Sequence, residues 1–203
     1  DLRTHPVATL LQPLLQFFDR TAFSVYCYAN CAADETSRRL RAAADAWRNI
    51  RGMTAEEAAA LVRRDEIDIL VDLAGHTQDN CLPVLAHKPA PVQVTGIGYF
   101  NTTGLPAVDY MLSDVYVDPA GAADESFTEE IIRLPHSHFC YTLRADLPDV
   151  APLPMERRGC ATFGSFNNFS KATDEVLALW RRVLDAVPGA RLLVKSKLFD
   201  SAG

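Results

Sequence analysis

Apolar residues Val7, Leu10, Leu11, Leu14, Leu15 and Phe18 recur at the spacing of one helix face. Pro6 suits the first helical position, and Pro13 predicts a kink. Residues 23–28 alternate as a strand does, residues 36–44 return to a helical period, and a short strand is expected near 47–50. Thr54 and Glu57 have the spacing of a capping box, in which hydroxyl and carboxylate satisfy free amides at a helix start. Ala58, Leu61 and Val62 then give that helix its buried face. Residues 67–73 are β-branched and almost continuously apolar, which predicts a strand buried on both faces, as in a parallel sheet. A short helix over about 79–87 and strands at 91–97, 109–114 and 130–134 complete the pattern. Strand and helix alternate with short links, so the fold class is α/β with a doubly wound sheet.

Residues 144–158 hold Pro148, Pro152 and Pro154 and few periodic apolar positions, and read as an interdomain link. A second α/β unit follows. Residues 162–166 predict a strand, and Thr173 caps a helix with Asp174 and Glu175 in its first turn, where the dipole favours negative charge. Leu177, Trp180, Val183, Leu184 and Val187 form its expected buried stripe, Pro188 and Gly189 end it, and residues 191–195 predict another strand. One such unit cannot enclose its own core, so the second domain reads as cut off. The chain opens at Asp1 without Met and stops at Ser201-Ala202-Gly203, so an excised or incomplete chain is expected.

Composition narrows the classes. With 48% hydrophobic and 23% charged residues, the chain reads as globular rather than disordered. The net charge of −6 gives no basic footprint, so nucleic acid is not an expected partner. No apolar run approaches the ~18 residues of a membrane helix, so no membrane association is expected. Five cysteines, an odd number without CxxC spacing, predict reduced thiols and a cytoplasmic location.

An open α/β sheet binds ligands at the carboxyl ends of its strands. That rule selects four segments. His5 stands at the start of the first helix, where amides attract anions and an imidazole titrates near neutral pH; from residue type alone, a surface helix-cap histidine is the commoner role. Gly75-His76-Thr77 follows the 67–73 strand, and Asp72, His76 and Thr77 have side chains for a polar ligand. Gly96 to Gly104 brings glycines together with Thr102 and Thr103, a loop that can present several backbone amides to a phosphate. It matches neither a Walker motif nor GxGxxG. In the second unit, Asn168, Ser170 and Lys171 lie beside a helix start and suit a diphosphate. His136, His138 and Cys140 carry zinc-ligand chemistry, but alternate residues on a flat strand spread beyond the reach of one ion, so no metal is expected. Asp124, Glu125, Glu129 and Glu130 read as a solvated acidic loop.

Asp1-Leu2-Arg3-Thr4-His5-Pro6, the 67–77 strand and turn, Lys88-Pro89-Ala90-Pro91-Val92-Gln93-Val94, Gly98-Tyr99 with Thr102-Thr103-Gly104, Asp109-Tyr110, and Phe163-Gly164-Ser165-Phe166-Asn167-Asn168 with Lys171 occur in this order. Together they resemble the catalytic region of glycosyltransferase family 41, the protein O-linked N-acetylglucosamine transferases and SPINDLY proteins, in a bacterial version. The resemblance implies a GT-B fold: residues 1–150 as an N-terminal catalytic Rossmann-like lobe lacking its first strand, 151–158 as the link, and 159–203 as the truncated start of a second, nucleotide-sugar-binding Rossmann-like lobe. It implies an inverting transfer of N-acetylglucosamine from UDP-GlcNAc to Ser or Thr hydroxyls of proteins, with no cofactor or metal. Acceptor proteins would bind through upstream TPR repeats absent here. His5 and Lys171 would be catalytic, and His76, Thr77, Thr102, Thr103, Gly104 and Asn168 would bind substrate. The fragment is expected to be inactive alone. Phe100-Asn101 departs from the family's loop, with Asn101 expected to tolerate a left-handed backbone. A GDP-fucose-dependent O-fucosyltransferase, a non-catalytic nucleotide-sugar module and a sugar epimerase are the alternatives.

Overall fold

The computed structural model describes residues 1–121, 124–142, 147–196 and 199. The chain forms two compact units, Asp1–Arg144 and Ala145–Gly203. The start of the proline-rich link at Arg144 and the terminal Ser201-Ala202-Gly203 lie outside the described residues.

In the first unit, helix α1 (Pro6–Phe17) carries Pro13 in its interior, with that ring buried. Strand β1 (Tyr26–Ala29), helix α2 (Glu35–Ala43) and strand β2 (Ala46–Asn49) follow. The start of α2 lies slightly ahead of the predicted one, because Asp34 and Ser37 form a capping box there. The expected box of Thr54 and Glu57 opens α3 (Ala55–Arg64), and Ala58, Leu61 and Val62 are buried as the period requires. Asp65, just beyond α3, accepts two bonds from the Arg48 guanidinium, each 2.9 Å, and one from the Tyr28 hydroxyl at 2.8 Å. That carboxylate ties β1 and β2 to the helix end. Leu2, Ala8, Leu15, Cys27, Ala29 and Leu40 close one core, and Ile50, Ala58, Ala59, Leu61 and Val84 a second. Each large side chain fully buried in this way contributes about 1.5–3 kcal/mol.

Strand β3 (Ile69–Asp72), helix α4 (Leu82–Ala86) and strands β4 (Val92–Gly96), β5 (Tyr110–Asp114) and β6 (Glu130–Leu134) complete the unit. All pairings are parallel. The strands form two ladders, β1-β2 and β3-β4-β5-β6, rather than the single doubly wound sheet expected. Burial of β3 on both faces does not hold: Ile69 is 52% and Val71 47% exposed. Apolar character makes a segment strand-competent on either face, but burial needs a covering layer. Among the described residues α4 lies on the opposite face, where the Gln93 amide donates to Leu85 O at 2.9 Å.

In the second unit, the stretch read as a link contains α5 (Pro154–Arg158), opened by a proline and closed by Gly159 in the left-handed region. Strand β7 (Thr162–Ser165), helix α6 (Asp174–Ala186) and strand β8 (Arg191–Val194) follow, with β7 and β8 parallel. Thr173 caps α6 as expected. The α6 stripe is not buried: Leu177 is 41% exposed, and Val183 and Val187 are each 37% exposed. Two strands and one long helix offer too little surface to cover one another.

Candidate functional site

The carboxyl ends of β3, β4 and β5 converge on a cluster of polar residues within the first unit. Asp72 ends β3 and is buried. It accepts from Gly75 N and the Thr95 hydroxyl at 2.8 Å each, and from Ala74 N at 3.3 Å. The carboxylate expected to face a ligand instead fixes the turn leading to His76. Gly75 has φ +51°, and a Cβ there would lie 2.4 Å from the Tyr99 ring, so glycine is required twice over.

Backbone strain sits where β4 ends. Ile97 has φ +72°, an outlier for a β-branched residue, and Gly98 N donates to Gly96 O across it at 2.9 Å. Such strain persists only where surrounding contacts enforce it, and it gathers at functional sites. The contacts are close: a Cβ on Gly98 would fall 2.0 Å from Leu73 O and 2.8 Å from the Val7 side chain. The first turn of α1 therefore packs on the strained loop. Asn101 is not the left-handed residue; its side chain accepts from Thr102 N at 2.8 Å, and Ile97 and Gly104 take the positive φ.

His5 caps α1, accepting from Val7 N through Nδ1 at 3.3 Å, with Asp1 3.4 Å away. Burial, then the nearby positive charges, hold its imidazole below its ordinary value. His76 donates from Nε2 to Thr103 O at 2.8 Å, and its ring meets Tyr99 edge-on. In the neutral ring this leaves Nδ1 as an acceptor. Thr77 donates its hydroxyl to Ala74 O.

The Thr102-Thr103-Gly104 turn is tied inward. Thr102 N bonds Asn101, Thr103 N bonds Glu129, Gly104 N bonds the Thr102 hydroxyl and Leu105 N bonds the Thr103 hydroxyl. These four successive amides are thus consumed and do not contribute to the phosphate cradle expected of the 96–104 loop. Among the described residues the carbonyls of Asn101, Thr102 and Gly104 accept no protein hydrogen bond, so the turn presents acceptors. Glu129 is 5% exposed and takes bonds from both threonines, so it leaves the solvated acidic loop to which its sequence neighbours assigned it. A carboxylate in a charged run reads as solvent-facing; its partners stand 26 and 27 positions away.

Sequence reasoning also missed the Asp114–His138 pair. Strand β6 ends at Leu134, so His136, His138 and Cys140 do not share a strand face: His138 is buried, while His136 and Cys140 are exposed. An opening of about 310 Å³ lies away from this cluster, near the ends of β1 and β2, lined in part by Ser37, Arg41, Trp47 and Arg51, and holds none of the predicted residues.

In the second unit, Asn168 caps a short 3-10 turn (Phe169–Lys171), accepting from Ser170 N at 3.2 Å. Lys171 ends that turn, exposed, directly ahead of α6.

A model of glycosyl transferase family 41 matches residues 1–151. The tomato (Solanum lycopersicum) protein named "Probable UDP-N-acetylglucosamine--peptide N-acetylglucosaminyltransferase SPINDLY" is 43% identical over 98% of this chain and 22% of its own length. Its Arabidopsis thaliana namesake is 44% identical over the same shares. The Arabidopsis protein named "Probable UDP-N-acetylglucosamine--peptide N-acetylglucosaminyltransferase SEC" is 28% identical over 95% of this chain and 21% of its own. A lysine-to-methionine mutant of the Thermobaculum terrenum O-GlcNAc transferase superimposes with a TM-score of 0.93 at 42% identity, covering 100% of this chain and 38% of that one. That match bears out the GT-B-type α/β fold class. The chain spans about a fifth of the length of the curated relatives it matches.

Proposed function

The chain belongs to glycosyl transferase family 41, and we propose that the protein containing it transfers N-acetylglucosamine from UDP-GlcNAc to Ser or Thr hydroxyls of proteins. The observation that carries this reading is the acceptor-rich turn at the carboxyl edge of β3–β5, in a chain 43% identical to a relative named for that transfer. The bare carbonyls of Asn101, Thr102 and Gly104 suit the hydroxyl and amide hydrogens of a sugar or a peptide.

In this reading a Ser or Thr hydroxyl attacks the anomeric carbon from the face opposite the leaving diphosphate, and the configuration inverts. Lys171 stabilises the charge that develops on the leaving group, and Asn168 holds the turn that presents it. No step calls on a metal ion. His5 acts at the reacting end, His76 and Thr77 flank the turn, and Thr102, Thr103 and Gly104 form its wall. Acceptor proteins bind through repeats outside this chain. The five unpaired cysteines favour a reducing, cytoplasmic setting. Among the described residues no helix is long and apolar enough to cross a membrane.

The identity of the donor is one arm of the test. Full-length protein is incubated with UDP-GlcNAc or GDP-fucose and a Ser/Thr peptide library, with products read by mass spectrometry. Hexosamine on peptide supports the proposal, and deoxyhexose on peptide replaces the donor. Donor binding without transfer reduces the protein to a binding module, and free sugar without labelled peptide makes it an epimerase.

A further inference from the structure

We infer that Glu129 is a positioning residue of this transfer, setting the Thr102-Thr103-Gly104 turn through bonds that only an ionised carboxylate can make. The inference rests on the transfer reading above.

Counting donors and acceptors carries it. The Thr102 hydroxyl oxygen accepts from Gly104 N at 3.0 Å and from Thr128 N at 3.2 Å, which fills both lone pairs. With both lone pairs filled, its one proton goes to Glu129 Oε2 at 2.7 Å in preference to the longer 3.0 Å contact with the Thr128 hydroxyl. The Thr103 hydroxyl accepts from Leu105 N at 3.2 Å and gives its proton to Glu129 Oε1. The same Oε1 accepts from Thr103 N at 2.8 Å. Both carboxylate oxygens thus face donors. A glutamine, nearly identical in shape, fails in either orientation: its NH2 meets the Thr103 N–H on one side, or a Thr102 oxygen with no lone pair left on the other.

The clamp closes on the chemically active edge. Thr103 is held at N and Oγ1 by Glu129, and at its carbonyl by His76 Nε2 at 2.8 Å. The turn and the His76 ring are therefore positioned as one object. An apolar residue would stabilise a loop without the desolvation cost of a buried charge. The carboxylate is useful here because it fixes the direction of each donor it accepts.

The test uses full-length protein and Glu129→Gln, with kcat and KM measured for peptide transfer from UDP-GlcNAc and rates scaled to the folded fraction. A misplaced turn lowers kcat by about 10²-fold while donor KM stays within about threefold. Amide exchange supplies a readout independent of turnover: Thr103 N–H is protected in wild type and released in the variant. If Glu129→Gln does not fold, Glu129→Asp, which keeps the charge but withdraws it by one methylene, is expected to show the same split to a smaller degree. Kcat unchanged per folded molecule, or a Thr103 amide exchanging freely in wild type, overturns the inference alone. A wild-type protein that transfers no sugar overturns the transfer reading, and this inference with it.

Discussion

Asp114 and His138 form a buried pair at the end of β5, in which Asp114 Oδ2 accepts from His138 Nδ1 at 2.6 Å and from His138 N at 2.9 Å. The other carboxylate oxygen takes Tyr116 N and Val117 N, each at 2.9 Å. The imidazole leans on Phe139, 4.2 Å between ring centres, and on Phe100 of the strained loop at 6.0 Å. Phe100 is thus linked to the β5 terminus through one histidine.

The first prediction concerns that link. His138→Ala removes an acid–imidazole bond and two ring contacts, and is expected to destabilise the first unit by about 2 kcal/mol or more, read by urea unfolding. The Asp114 carboxyl is held well below its ordinary range, first by the His138 backbone amide and against the opposing effect of burial. Its contribution is therefore complete above the unfolded-state value near ~3.9 and fades as pH falls below it. The stability gap between wild type and Asp114→Asn should stay level from neutral pH down to about 5, then narrow. A gap that widens on acidification rules out this account.

Two glycines of one loop should respond differently to alanine. At Gly98 the added carbon meets a backbone oxygen at 2.0 Å, which cannot yield without moving the β3 exit. At Gly104 it meets nothing within 4 Å, and only the φ of +69° is strained. Gly98→Ala is expected to cost about 3 kcal/mol or more, and Gly104→Ala about 1 kcal/mol. Equal melting temperatures for the two variants would contradict this geometry.

What was legible in the sequence follows from the range of the interactions involved. The Thr54–Glu57 box, the Pro6 helix start and strands β3 to β6 depend on neighbours within a few positions, and local pattern reports them. Glu129 was misread because its partners are distant in sequence, and His138 because an alternation of ligand-type residues resembles a strand where none forms. The exposure of Ile69 and of the α6 stripe depends on covering layers, which periodicity does not count. The sheet-edge rule picked out the 96–104 loop, while the side chains that hold it belong to other elements.

Lys171 separates function from stability. Its side chain is exposed at the end of the 3-10 turn and closes no core. Lys171→Ala in the full-length protein is expected to leave stability within about 0.5 kcal/mol of wild type and to lower kcat by about 10²–10³-fold, the usual loss of a charged contact to a developing anion. Steady-state kinetics and a melting curve on the same preparation check both halves. Near-normal kcat removes Lys171 from the mechanism.

His5 allows a sharper division, because its Nδ1 is occupied. Accepting from Val7 N leaves Nε2 to carry the proton of the neutral ring, and burial holds the imidazole below its ordinary value. With Nδ1 accepting and Nε2 protonated, the neutral ring has no lone pair left for the acceptor's proton, so Nε2 can serve only as a hydrogen-bond donor. If the Nε2–H donates a hydrogen bond to substrate, His5→Ser keeps the cap and loses most of the rate, with the pH profile unaltered. If His5 only caps α1 and supports the Gly98 loop through Val7, His5→Asn keeps the cap, the rate and an unaltered pH profile. We expect the first pattern, because a serine would cap α1 at least as well without leaving a ring N–H to donate.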